Sequence, residues 1–337
     1  MPQRWTNRPP GSNWGDFGLD DEIGRLNLLT PERVRRAAEE VREGVRFCLS
    51  LPLDLPGGMV LNNRRHPPQL IPIQREGRTS FNLPLEEIDP GRTDVVSDEA
   101  FTLHSQYSTQ WDSLAHIGSM FDADGDGTPE RVFYNGWRIV GEDGRGRQGE
   151  VGALALGIET VAAACVQGRG VMVDLHAHFG EAREAVGHDS LMGILEADGV
   201  AVEEGDILCL HTGLCEALLA SAGRPDPELR TRYPVLDGTD ARLLQWITDS
   251  GVAAIASDAL AVEASSQLAS SARGAGPVLP LHEHCLFKLG VPLGELWYLT
   301  ELAAWLKEHG RFRFFLTAPP LRLPGAAGSP VTPIATV

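Results

Sequence analysis

The 337-residue chain contains no run of 18 apolar residues, which excludes a membrane-spanning helix as an expectation. Its opening Met1-Pro2-Gln3-Arg4-Trp5 has none of the layout of a secretory leader. Cysteine is sparse: Cys48, Cys165, Cys209, Cys215 and Cys285 are scattered, odd in number, and form no Cys-x-x-Cys pair. They read as small buried residues of a reduced compartment, so a cytoplasmic protein is expected. Positive charge is also short, with 29 Lys and Arg against 46 Asp and Glu, and the net charge of −17 excludes nucleic-acid binding through a broad basic face. There is no internal repeat, linker or low-complexity tract to divide the chain, so one domain spanning 1–337 is expected. Its 42% hydrophobic content is ordinary for a soluble globular protein, and the length allows a large core.

Residues 1–30 are rich in Pro, Gly, Asn and Trp and predict an irregular arm whose tryptophans pin it to the body or to a partner subunit. Thr30-Pro31-Glu32 carries a capping hydroxyl, a first-turn proline and an early acid, predicting a helix that runs to Glu43 and stops at Gly44. Short strands and turns follow between Val45 and Leu103, with a basic Arg64-Arg65-His66 that reads as a solvated loop or a face for an anionic substrate. From Gly152 the pattern alternates helices with apolar strands. Helices are expected at Ala153–Cys165, Asp189–Ala197 and Thr239–Ser250, and strands at Gly170–Leu175, Gly205–His211 and Val252–Ser257. This is an α/β arrangement, and such sheets place ligands where the strands end.

The densest polar chemistry lies in His104-Ser105-Gln106-Tyr107-Ser108-Thr109-Gln110-Trp111-Asp112-Ser113-Leu114-Ala115-His116. Gln106, Gln110, Asp112 and His116 recur at steps of four, two and four, a spacing that can aim several polar ends at one point. A carboxylate and an imidazole so placed suit metal binding or acid/base chemistry, although a polar surface loop has the same composition. Tyr107, Trp111 and Tyr134 are the aromatic candidates for a pocket wall. Two other segments compete for attention. Asp122-Ala123-Asp124-Gly125-Asp126 resembles the start of a calcium loop, but its twelfth position is Phe133 rather than Glu, which favours a hydrated acidic turn. His176 and His178 have the spacing of paired ligands, yet leave the end of a strand and read as structural or pocket-lining.

Gln106-x-Ser108-Thr109-Gln110-x-Asp112-x-x-x-His116 resembles the His-x-Gly-Thr-His-x-Asp-x-Pro-x-His signature of the putative cyclase family, which includes kynurenine formamidase and isatin hydrolase. Leu279-Pro280-Leu281-His282 and Gly290-Val291-Pro292-Leu293-Gly294-Glu295 resemble the family's distal site, with His284 and Glu283 as alternatives to His282. The resemblance implies a swivelling β/β/α fold, a mixed sheet with flanking helices, assembled as a homodimer or dimer of dimers. It implies His116 as general acid/base, assisted by Asp112, and a divalent ion, Mn or Zn, held by Asp112, His282 and Glu295. Gln106 and Gln110 stand where the family has two ligand histidines, and an amide oxygen is a weaker, harder donor than imidazole. The expected activity is hydrolysis of an amide or lactone bond in a small cyclic or aromatic substrate. The alternatives are a metal-free lyase, dehydratase or cyclase, and a non-catalytic binding protein whose metal site has decayed.

Overall fold

A computed structural model describes residues 3–264 and 276–337. Met1 and Pro2, which the reading of the N-terminus included, lie outside the described residues. Nine strands form one curled mixed sheet: β1 (Arg46–Cys48), β2 (Gln110–Asp112), β3 (Gln167–Asp174), β4 (Ile207–His211), β5 (Ala254–Ser257), β6 (Leu293–Glu295), β7 (Arg313–Thr317), β8 (Gly328–Pro330) and β9 (Ile334–Thr336). Their order across the sheet is β1-β9-β7-β3-β4-β5-β6-β2-β8. The central β3, β4, β5 and β6 run parallel, and every pairing outside them is antiparallel.

The apolar runs of the central strands follow from burial on both faces. Val173, Leu208, Leu210 and Ile255 pack on one side against Leu191, Ile194, Leu243 and Ile247 from the helices His188–Asp198 and Ala241–Ser250. Met172, Ile207, Cys209 and Ala256 pack on the other against Ile158, Val161, Leu302 and Leu306 from Ile158–Ala163 and Thr300–Glu308. Neighbouring residues thus enter different cores, so no alternation shows in the sequence. The expected mixed sheet with flanking helices is the one observed.

Three local readings change. The first helix is Pro31–Ala38, shorter than expected, because the amides of Glu43 and Gly44 turn away to the carbonyl of Val337. The Ala-rich helix shrinks to Ile158–Ala163, since Ala153 and Leu154 donate to the carbonyls of Gly325 and Ile139 instead. Cys209, Cys215 and Cys285 are buried as expected, whereas Cys48 and Cys165 are exposed: Cys48 lies on the edge strand β1, and Cys165 follows the end of a short helix in a left-handed conformation.

The N-terminal arm, described from residue 3, is pinned to the body. Trp14 is fully buried, donates its indole N–H to the carbonyl of Phe287 at 2.8 Å, and meets that ring edge-on at 5.2 Å. Gly24 (φ +55°) lies so close to Gly290 that a Cβ there would overlap the Gly290 carbonyl, and Arg25 donates its amide to that same oxygen. The arm therefore braces the segment in which one α turn (Pro280–His282) runs into a π-helical stretch (Glu283–Leu289). Among the described residues no helix is long and apolar enough to cross a membrane.

Candidate active site

Strand β2 lies between β6 and β8, with Gln110 opposite Glu295 and Asp112 opposite Leu293. Side chains alternate along it, so Gln110 and Asp112 share one face and Trp111 takes the other. That alternation removes Trp111 from the pocket. Its ring packs in the core against Trp297 at 4.9 Å and its indole donates to the carbonyl of Ala318 at 2.8 Å. Tyr107 and Tyr134 are also drawn into the body, their hydroxyls donating to the carbonyl of Gly58 and to Asp21. None of these three aromatics lines the cavity over the site. The hydroxyl of Thr109 is a latch, donating to the carbonyl of Leu296 and accepting the amide of Leu51.

His282 arrives from the first turn after Pro280. Its Nε2 lies 3.2 Å from Glu295 Oε1 and 4.0 Å from Asp112 Oδ2, and ligand atoms of Asp112, His282 and Glu295 all fall within 4.8 Å of one another. All three residues are buried. His282 is oriented from behind by Glu263, which takes its Nδ1 at 2.7 Å and also accepts the amides of His282 and Leu281. Burial alone would depress the His282 pKa, but its hydrogen bonds to Glu263 and Glu295 outweigh this and raise it to about 10. Burial, with the nearby charge of Glu295, pushes Asp112 up to about 6 against the pull of His116 and His282. His284 does not join the group: it is bonded to Thr248 Oγ1 at 2.9 Å, and burial lowers its pKa to about 4.

The two glutamines play different parts. Gln106 Oε1 accepts from Arg65 Nη2 at 2.7 Å, and because a guanidinium can only donate, this contact sets which end of the amide is which. Gln106 Nε2 then donates to Asp112 Oδ1 at 2.7 Å and lies 2.9 Å from His116 Nδ1. Its oxygen is therefore turned away from the cluster, and the expectation that Gln106 offers it to an ion is corrected. Gln110 Nε2 donates to Glu295 Oε2 at 2.8 Å and lies 3.5 Å from Asp112 Oδ1, and its Oε1 has no hydrogen-bond partner among the described residues. Asp112 Oδ2 is likewise buried and unpartnered. His116, partly exposed, stands with its Nε2 3.8 Å from that oxygen.

Above the cluster opens a cavity of about 610 Å³, within the range of small-molecule sites, lined by His116, His282 and Glu295. The remaining candidates lie elsewhere. His176 Nδ1 contacts the carbonyl of Thr212 and His178 contacts Asp198, so neither joins the cluster. Asp122, Asp124 and Asp126 approach one another on the surface, where their carboxylates accept amides of their own turn.

Residues 49–264, more than half of the chain, match the profile of the Putative cyclase family. The chain belongs to the putative cyclase family. Its fold is that of cyclase-family structures. A crystal structure described as a novel cyclase is 31% identical, covers 98% of this chain and 100% of its own, and superposes with a TM-score of 0.76. Isatin hydrolase A from Ralstonia solanacearum is 14% identical over 91% of this chain and 97% of its own, with a TM-score of 0.56. An isatin hydrolase bound to the product analogue thioisatinate is 13% identical over 92% and 98%, with a TM-score of 0.54. No curated protein matches.

The residues of this cyclase-family member fit a divalent cation. Asp112 Oδ2 is a buried acceptor with no donor among the described residues, an arrangement that is costly unless something positive sits beside it. Asp112, Glu295 and His282 make a donor set of two carboxylates and one imidazole, which fits a divalent cation. Sequence reasoning missed Glu263 and the hold of Arg65 on Gln106. The one available signal for Glu263 was a lone acid in the apolar run Leu260-Ala261-Val262-Glu263-Ala264.

Proposed function

We propose that this protein is a metal-assisted hydrolase of an amide or lactone bond in a small cyclic or aromatic substrate. The observation that supports it is the orphaned acceptor Asp112 Oδ2 in the cluster with His282 and Glu295, the last two of which line a ligand-sized cavity. Asp112, His282 and Glu295 would hold the ion, and Gln110, whose Nε2 faces Glu295 and Asp112, would orient their carboxylates. A divalent ion there supplies Lewis acidity toward a carbonyl oxygen and lowers the pKa of bound water. In the reaction water adds to the carbonyl carbon, the C–N or C–O bond breaks, and one proton of water ends on the departing atom.

Gln106 governs what His116 can do. Its N–H end faces Nδ1, so the neutral ring carries its proton on Nε2 and presents an N–H to the substrate's oxygen or departing atom. Taking a proton from water at Nδ1 requires His116 to turn away from Gln106. Arg65 keeps the glutamine in this orientation. Glu263 holds Nδ1 of His282, which leaves Nε2 toward Asp112 and Glu295.

A second reading, metal-free acid/base chemistry by Asp112 and His116, draws on the 3.8 Å between Asp112 Oδ2 and His116 Nε2. Elemental analysis after dialysis without chelator, and hydrolysis of a panel of lactones and N-acyl anilides before and after chelation, tests the two. Near-stoichiometric manganese or zinc, with turnover lost on chelation, is expected. Turnover indifferent to chelation would leave the Asp112–His116 pair alone, and neither metal nor turnover would make the chain a binding protein.

A further inference from the structure

We propose that the substrate of this cavity is an anion whose carboxylate or phosphate group is held at the mouth by Arg64, Arg183 and Arg230. The inference rests on the hydrolase reading only for the word substrate; the anion site itself stands on charge and geometry. The chain carries 46 acids against 29 basic residues, yet the cavity inverts this balance: five arginines, at 64, 65, 183, 230 and 232, line it beside only Glu263 and Glu295. These arginines come from three separate stretches of chain, so a basic run of sequence is not the cause.

Their partners decide which of them are free for a ligand. Arg65 is committed to Gln106, and Arg232 to Glu228 at 3.0 Å and Glu181 at 3.7 Å. Arg64 and Arg230 are exposed, and their guanidinium groups have no hydrogen-bonded or ionic partner among the described residues. Arg183, also exposed, reaches among the described residues only the carbonyls of Arg232 and Tyr233, at 3.4 Å each, and partial desolvation lowers its pKa with no carboxylate to offset the cost. Elsewhere arginines commonly meet acids, as Arg33 does Glu204, Arg169 does Asp206 and Arg242 does Asp189. Like charges drawn to one mouth and left unpaired repel each other, and an anionic guest relieves that repulsion.

The same charges orient the guest. The arginines draw the charged group outward to the mouth, which leaves a neutral amide or lactone inward beside His116, His282 and Glu295. Between the two ends, Leu61, Ile117, Leu229 and Leu260 offer an apolar waist. The substrate class is therefore an amphipathic acid: a ring or chain bearing the scissile bond at one end and a carboxylate or phosphate at the other.

The test is equilibrium binding of phthalate and of its neutral analogue phthalamide to the full, metal-loaded chain by calorimetry, with Arg230→Gln and Arg183→Gln alongside wild type. Arg230 is exposed and makes no side-chain bond to the described residues, so its variant keeps the fold even if the Arg183 variant does not. Phthalate should bind about tenfold more tightly than phthalamide, and Arg230→Gln should remove about that factor, the scale of one charge-assisted contact. Raising salt from about 0.05 to about 0.5 M should weaken phthalate alone. Equal binding of the two ligands, no binding of phthalate, or phthalate binding unchanged in Arg230→Gln, as for an acid held at the floor, would overturn the proposal. Binding needs no turnover: a chain that binds phthalate as expected but hydrolyses nothing loses the hydrolase reading and keeps this one.

Discussion

Two polar clusters, each with a carboxylate beside an imidazole, sit at strand ends of the same sheet, and they differ in what is left over. In the first, Asp174 and His211 end β3 and β4, and Asp258 follows β5. Asp258 accepts the amides of Thr212 and Gly213, one on each oxygen, and Asp174 Oδ1 accepts from Ala177 and contacts His211 Nδ1 at 2.8 Å. The other nitrogen of His211 reaches Thr300 Oγ1 at 3.3 Å. Each of these contacts is made within the chain, so the cluster holds strand ends together. In the second, the cluster of Asp112, Gln110, His282 and Glu295, two buried oxygens have no donor. Composition does not separate a structural cluster from a functional one; the presence of an unmatched acceptor does.

The largest expected effect breaks the comparison on the functional side. His116→Ala should lower turnover by about 10²–10⁴-fold, the usual worth of a positioned proton donor or acceptor, with metal content and thermal stability retained because the ring is partly exposed. Steady-state kinetics on the best substrate of the panel, beside elemental analysis, reads this directly; undiminished turnover would remove His116 from the chemistry. A smaller effect is expected at Glu263. Glu263→Gln keeps the shape but weakens the grip on His282 Nδ1, and metal affinity should fall by about 10–100-fold in a competition titration with a chromophoric chelator. Unchanged affinity would mean that His282 does not hold the ion.

The smallest effect lies in the satisfied cluster and concerns stability alone. His211→Gln should cost about 1–3 kcal/mol by leaving Asp174 without its partner, and leave turnover unchanged. The cost should depend on pH. Burial pulls the His211 pKa down, but the bond to Asp174 and the charge of Asp258 outweigh it and hold it above 6.5. A raised pKa stabilises fully below 6.5 and loses that contribution as pH rises through the folded value. Asp174 is pushed up by burial and pulled further down by His211 and the Ala177 amide, so its share is present above 3.8 and fades in acid. The gap between wild type and variant in denaturant melts should therefore be widest near pH 6 and shrink toward pH 9. A gap that is constant with pH would show that His211 is neutral in the fold.

What could be read from the sequence was local. The helix Ala241–Ser250 lies within the span Thr239–Ser250 expected for it, and the central strands announced themselves through apolar runs. Asp112, His116, His282 and Glu295 stood in phrases with a recognisable spacing, and the structure gathers them. What could not be read depends on partners far along the chain. Trp111 was mistaken for a pocket wall because a three-residue strand gives too little alternation to reveal which face is which. The orientation of Gln106 is set by an arginine 41 positions earlier, and Glu263 meets His282 across 19. Arg183 and Arg230 acquire meaning only when the fold brings them to the mouth that Arg64 shares.

The place of β2 between β6 and β8 has a consequence for the birth of the protein. Asp112 is synthesised early, but its strand is flanked on one side by Leu293–Glu295 and on the other by Gly328–Pro330, and the first strand waits for Ile334–Thr336. Pairings of such long sequence separation form late and slowly. On the ribosome the strand that carries Asp112 is therefore without either neighbour until residue 293 has been made, so this part of the site is synthesised long before the strands that hold it in place.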